Sequence, residues 1–308
     1  SEIWNNNYTA ISEFNYNFSK TYIKDDKYST AIRYKTQMNW PITDDRAYTA
    51  WFKEVKLDVI EKKIASVTIS GNTITVDYMY AIPKLREGQW MEIIDSQVPG
   101  FSIIGEIEYV NYDPSRLRVR ISISEYLKTL INTNYPNWST SSTLIGRQTA
   151  RRNFLTGYNY DTLKGLILDT FDGKWFRLIL NDIEYWTPIT TTLDYNKFYG
   201  IVVNISNKFN QLSFYIYEII PNSKSTNLKC IFKSVLNNVE SEDRSTTSKL
   251  ELKNSMIQLT NIRFLTETIE EEKHSLFLNQ NVIRDGDLAI IVDNAIPRTR
   301  LPYMGIAK

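Results

Sequence analysis

The sequence predicts a mainly β protein: a small closed β-barrel followed by an antiparallel β-sandwich, with extended arms at both ends. Three observations predict it. Short runs rich in Val, Ile, Tyr, Phe and Trp recur along the chain, broken by Gly, Pro, Asn and Asp turn signals. Residues 199–218 hold two such runs around a polar turn at 206–210, the pattern of one long antiparallel hairpin. The second run, 212–220, is apolar or aromatic at nearly every position, so both its faces are expected to be covered.

Composition sets the outer bounds. A chain of 308 residues with 42% hydrophobic and 23% charged residues can bury a real core and suggests two domains of ~150 residues. The 20 Tyr, 13 Phe and 7 Trp suit strands and also sticky surfaces, because each Tyr joins a large apolar ring to a polar tip. With 36 basic against 35 acidic residues the balance is +1, without the cationic excess that nucleic-acid binding uses. A lone cysteine, Cys230, excludes an internal disulfide framework and fits a reducing cytosol. It lies in a strand-like run, 228–232, and is expected to be a buried thiol. No apolar run approaches the ~18 residues that span a bilayer, so no membrane partner is expected. Ser1 stands where an initiating Met is expected, as in a processed chain or a piece of a longer product.

Residues 1–50 are polar and aromatic without sustained periodicity. They read as an extended arm that docks its aromatics elsewhere, or as a plain irregular subdomain. Asp44 and Asp45 then resemble a helix start, and Trp51, Val55, Val59 and Ile60 share one face at helical spacing, which predicts a helix over 47–63.

From 64 to 125 the pattern turns to short strands. Runs at 67–70 and 73–78 flank Gly71 and Asn72, and further runs at 90–94, 103–110 and 117–123 are separated by Pro99-Gly100 and Asp113-Pro114. Five strands, with Gly88 and Gly105 at bends, predict a small closed barrel of the OB or SH3 kind within residues 51–125. Arg116, Arg118 and Arg120 line one side of its last strand, and Glu106 and Glu108 alternate in the strand before, so cross-strand ion pairs are expected rather than nucleic-acid contacts.

Residues 126–152 read as a linker with a short helix at 126–131 and a loop after it. Arg147, Arg151 and Arg152 close it, either as solvated charges or as a site for phosphate or a partner's carboxylate. A second run of strands fills 153–268: 163–169 and 175–180 around the turn Asp172-Gly173, then the hairpin, 228–236 and 256–265, with a polar insertion at 237–248. The tail, 269–308, opens with an acidic helix from Glu270 to about Leu278 and continues through an apolar run, Leu288 to Val292, toward Pro297 and Pro302.

The segments Trp175-Phe176-Arg177-Leu178, 199–205, 212–217 and 259–264 resemble consecutive strands of a laminin-G or concanavalin-A-like jelly roll. The likeness covers about a third of the chain, departs from the family's pattern at Tyr199 and Glu218, and maps no calcium-binding set. With the proline-bearing tail, the overall texture resembles virion structural proteins of tailed bacteriophages. That resemblance implies a virion subunit, in the tail, baseplate or capsid exterior, assembled in the host cytoplasm and held by other copies of itself and neighbouring virion proteins.

Chemistry is hard to find. His274 is the single histidine and reads as a solvated helix residue; His and Cys together supply only two side chains, too few for a zinc site. Neither a Gly-x-Ser-x-Gly elbow nor a glycine-rich phosphate loop occurs, so no cofactor is expected. Asp169, Asp172, Asp182 and Glu184 lie near Trp175 and Trp186, where a calcium or sugar site, or a catalytic carboxylate pair, competes with plain turn-forming aspartates and core tryptophans. The reading is therefore non-enzymatic. Trp4, Tyr8, Trp40, Leu288, Ile290, Val292, Leu301 and Tyr303 are the candidate assembly contacts, since apolar arms can bury large interfaces on neighbours. The alternative is a lectin-like adhesion module binding host glycans, with Trp138, Trp186, Tyr195 and Asn196 as platform and amide.

Overall fold

A computed structural model of the chain describes residues 10–14, 37–42, 45–57, 61–78, 85–113, 116–220, 228–241, 247–251, 256–265, 267–275 and 277–278. Its strands begin with β1 (Ala10–Phe14), β2 (Gln37–Pro41), β3 (Asp45–Glu54), β4 (Glu61–Ser70), β5 (Thr73–Tyr78), β6 (Trp90–Asp95), β7 (Ser102–Asp113) and β8 (Arg116–Ser122). Helix α1 (Glu125–Asn134) follows, then β9 (Leu144–Thr149), β10 (Arg151–Asn159), β11 (Gly165–Phe171), β12 (Trp175–Leu180) and β13 (Ile183–Pro188). The remaining strands are β14 (Tyr199–Ser206), β15 (Gln211–Ile219), β16 (Leu228–Leu236), β17 (Thr247–Glu251) and β18 (Ile257–Leu265). The protein is mainly β and divides into two compact units, Leu57–Arg151 and a second that includes Ala31–Lys56 and Arg152–Lys308.

The first unit is a closed barrel in the order β4-β5-β8-β7-β6-β9, antiparallel at every step. Alternation along β5, β6, β7 and β8 sends Ile74, Val76, Met91, Ile93, Ile107, Val119 and Ile121 into its interior. The stretch read as a linker, 126–152, holds the short helix expected there as α1 and adds the sixth strand, β9, which pairs with both β6 and β4 to close the barrel. Ser124 caps α1, its Oγ accepting from the Leu127 N–H at 3.5 Å, and the helix buries Leu127 and Ile131. Gly146 in β9 makes room for Tyr78: an added Cβ would sit 1.9 Å from the Tyr78 Oη. Arg120 pairs with Glu108 across strands at 3.4 Å as expected, while Arg118 turns to Asp77 at 2.9 Å on its other neighbour.

The helix expected over 47–63 does not form. Strand β3 covers its first half and β4 begins at Glu61. Tyr48, Thr49, Trp51 and Phe52 favour extended backbone, and β3 is buried on both faces, so its apolar run lacks the alternation that would have signalled a strand.

The second unit is a β-sandwich of two six-stranded sheets, β1-β18-β3-β14-β15-β16 and β13-β12-β11-β10-β17-β2. Their facing sides share one core around Phe52, Phe154, Leu168, Phe176, Phe214 and Phe264. The sheets lie edge over edge: Trp40 of β2 meets Phe264 of β18, Phe154 of β10 meets Phe52 of β3, and Thr187 of β13 bonds Ser234 of β16.

The 199–218 hairpin forms as expected, β14 on β15 from Gly200↔Tyr217 to Ser206↔Gln211. Both faces of β15 are covered: Leu212, Phe214 and Ile216 enter the main core, while Tyr215 and Tyr217 join a second cluster with Trp51, Val202, Ile269, Phe277 and Leu278. The cover on that outer face is thus the chain's own 269–278 segment, and Gly200 leaves the space that Leu278 fills.

The described parts of the expected N-terminal arm are sandwich strands, β1 along β18 and β2 along β17. Trp40, expected at an assembly interface, is fully buried and donates its indole N–H to the Leu265 carbonyl at 2.9 Å. An indole that fills the core and bonds a neighbouring strand has no surface to offer another subunit. Trp4, Tyr8, Leu288, Ile290, Val292, Leu301 and Tyr303 lie outside the described residues.

Candidate functional site

The densest buried charge in the sandwich lies where β3 ends. Glu54 continues the inward parity of Tyr48, Ala50 and Phe52, so its carboxylate enters the end of the core. Arg152, at the start of β10, is fully buried against it. Its Nε donates to the Met256 carbonyl at 3.0 Å, Nη2 to the Val55 carbonyl at 2.6 Å, and Nη1 to Asp172 Oδ1 at 2.7 Å. Nη1 also lies 2.8 Å from Glu54 Oε2, without hydrogen-bonding geometry. Asp172 arrives on the β11–β12 turn, where it and Gly173 take φ of 46° and 61°. A side chain at Gly173 would be strained at that φ, and its Cβ would meet Glu54 Oε1 at 2.8 Å and force it to shift. Tyr195 closes the cluster, its ring 5.6 Å from the guanidinium carbon.

One guanidinium therefore faces two carboxylates. Burial pushes Glu54 up to about 7 against the pull of Arg152, with Asp172 adding to the rise. The arrangement ties β3, β10, β18 and the β11–β12 turn together, and Glu54 can hold a proton near neutrality.

A second arginine organises the outer face of the other sheet. Arg177 bonds Asp169 through Nε and Nη2 and Glu184 through Nη1, and Asn153 Nδ2 donates to the remaining Asp169 oxygen at 2.8 Å. The register Asp169↔Arg177↔Trp186 lays three side chains side by side, so the guanidinium sits against Trp186 and Phe171. Asp182 is a turn residue whose Oδ1 accepts from the Gly165 N–H. The four acids considered for calcium or catalysis are thus held by Arg152, Arg177 and a backbone amide, and no cluster of metal-ligating side chains occurs among the described residues.

The candidate sugar residues are placed differently from expectation. Trp186 is 2% exposed, stacked on Phe171 with 5.2 Å between ring centroids, and forms a wall of the Arg177 clamp instead of an open platform. Trp138 is buried in the barrel unit against Phe101. Tyr195 serves Arg152, and only Asn196 is exposed.

Two further expectations reverse. His274 is fully buried instead of solvated: Tyr217 Oη lies 2.8 Å from its Nδ1, the Ile269 carbonyl 2.9 Å from its Nε2, and Tyr215 packs edge-on at 4.5 Å. Burial holds it below its ordinary value, favouring the neutral ring that donates from Nε2 and accepts at Nδ1. Cys230 is exposed as a residue on the edge strand β16, beside a bulge opposite Ile216 and Tyr217, while its Sγ donates to the Phe232 carbonyl at 3.2 Å. Desolvation pushes this thiol up, away from thiolate reactivity.

Sequence reasoning missed Glu54 and the buried roles of Arg152 and Arg177. A signal existed for Arg177, a cation between Phe176 and Leu178 in an aromatic strand with acids on both neighbouring runs. Compared with protein-family models and with curated proteins, the chain matches none.

Proposed function

We propose that the chain is a non-enzymatic structural subunit, built for assembly with copies of itself and with neighbouring proteins, as in the virion of a tailed bacteriophage. The observation that carries this reading is the fate of the acids and bases. Glu54 and Asp172 are held by Arg152, Asp169 and Glu184 by Arg177, and His274 by Tyr217. These groups fasten strands to one another, with Glu54, Asp169 and His274 buried and Asp172 and Glu184 partly open to solvent. We read the sandwich as a jelly roll, supported by the way strands from both ends of the chain interleave in both sheets. Light scattering on the purified full chain, with limited proteolysis of the same sample, tests the assembly reading. Discrete oligomers, or a chain whose ends are trimmed while the sandwich survives, are expected; a compact, protease-resistant monomer would count against it.

A further inference from the structure

The three most exposed large apolar side chains among the described residues are Leu163 at 72%, Phe209 at 68% and Tyr160 at 58%. They occupy only two loops, 160–164 between β10 and β11 and 207–210 between β14 and β15. Both loops lie at the same end of the sandwich. Ser206 pairs with Asp45 at the start of β3, Arg46 next to it donates to Ser248, and Ser248 pairs with Asn159 at the end of β10. Since β10 packs under β3 and β12 under β15, the two loops close neighbouring hairpins across one sheet spacing of about 10 Å.

The loops are firmly built. Buried Asn159 accepts from the N–H groups of Asp161 and Thr162 through Oδ1, and its carbonyl accepts from Leu163 N–H at 2.8 Å. In the other loop Ser206 Oγ accepts from Phe209 N–H at 3.1 Å, and the Asn210 carbonyl accepts from Val239 N–H. Leu163 also sits at φ 58°, a left-handed conformation that Gly or Asn adopts more easily. Folding therefore does not account for a leucine there, exposed and in an unfavourable backbone state.

Each apolar side chain has a lysine beside it. Lys164 follows Leu163 and is exposed, Lys208 Nζ lies 5.4 Å from the Phe209 ring centre, and Lys249 Nζ lies 5.4 Å from that of Tyr160. Asp45, Asp161, Asp182 and Glu240 share this end, Asp45 bonded to Ser206 and Asp182 to Gly165. Separate convex tips that pair apolar and cationic groups suit a deformable apolar phase with anionic headgroups better than a rigid protein surface, which would need a matching hole for each.

We propose that this end of the sandwich is a peripheral lipid-contacting surface, in which Tyr160, Leu163 and Phe209 enter the acyl boundary of an anionic bilayer while Lys164, Lys208 and Lys249 meet its headgroups. No helix among the described residues is long and apolar enough to cross a membrane, and this contact requires none. It is independent of the assembly reading.

The test is flotation of the full chain with vesicles of phosphatidylcholine alone and with added phosphatidylglycerol. Binding to the anionic vesicles, weakened by salt, is expected, and Leu163→Asn with Phe209→Asn should lower it at least about tenfold. Leu163→Asn relieves backbone strain, so the thermal midpoint of the double variant should hold or rise, separating lost contact from lost fold. Absence of wild-type flotation, or equal flotation of the variant, overturns the proposal. So does a variant that loses self-association in light scattering while the wild type ignores vesicles, since the tips would then be a protein contact.

Discussion

Glu54 Oε2 and Arg152 Nη1 lie 2.8 Å apart at the end of the sandwich core, yet the same nitrogen gives its hydrogen bond to Asp172. Two carboxylates share one buried cation, and burial, with a smaller push from Asp172, raises Glu54 from 4.5 to about 7 against the pull of Arg152. A carboxyl that is harder to ionise folded than unfolded stabilises the fold below about pH 4.5. That contribution is lost as pH rises through 7, in all about 3 kcal/mol. Glu54→Gln keeps the shape and removes the titration. Urea unfolding at pH 5 and pH 8 should show the variant gaining on the wild type by about that amount over the interval. A difference that stays constant with pH would sink the assignment.

Arg152 carries the converse prediction. Its removal strands Glu54 and Asp172 together with the carbonyls of Val55 and Met256. Arg152→Met should cost about 3–5 kcal/mol in denaturant unfolding. Arg152→Lys should recover little, because an ammonium lacks the fork that reaches three directions at once. Full recovery by lysine would show that charge alone matters here.

The contrast between β15 and β3 shows which parts of this fold the sequence reveals. Turn chemistry marked the hairpins at Gly71, Asp172-Gly173 and 206–210, and unbroken apolarity marked β15 as covered on both sides. The same burial on both faces hid β3, because a doubly buried strand imposes no period of two, and Trp51 near its end fell into helical spacing with Val55, Val59 and Ile60 beyond it. β9 was hidden for another reason: it is short, polar at Arg147 and Gln148, and defined by the strands it joins. The charge clusters were invisible because pairing Glu54 with Arg152 spans nearly a hundred residues of sequence and depends on the fold itself. Trp186 misled for a related reason, since an indole used as the wall of an arginine clamp reads in sequence like one offered to a sugar.

Gly146 tests the barrel. A methyl there would collide with Tyr78 Oη and with Met91 Cε at 2.6 Å, deep in an interior that cannot yield. Gly146→Ala should lower stability by about 1–3 kcal/mol. Tyr78→Phe removes the atom nearest the added methyl, and its hydroxyl makes only a 3.5 Å contact with Met91 Sδ. The double variant should therefore be less destabilised than the sum of the two single ones, as read from a thermal double-mutant cycle. Strict additivity would place the strain elsewhere.

His274 sets an acid limit on the cover of the outer sheet face. Its folded value lies below the ordinary 6.5, mainly through burial. A histidine held neutral contributes stability above about pH 6.5 and loses it as pH falls further, because the unfolded chain then binds the proton more readily. The loss should appear first in the segment that His274 anchors. Ile269 bonds both the ring and Asn204, while Phe277 and Leu278 complete the apolar cluster beneath. Amide exchange across 267–275, corrected for intrinsic rate, should therefore accelerate between pH 7.5 and 5, ahead of β14 and β15. His274→Gln keeps a neutral donor and acceptor without the titration and should abolish the acceleration. If the variant opens in acid as readily as the wild type, the ring is packing alone.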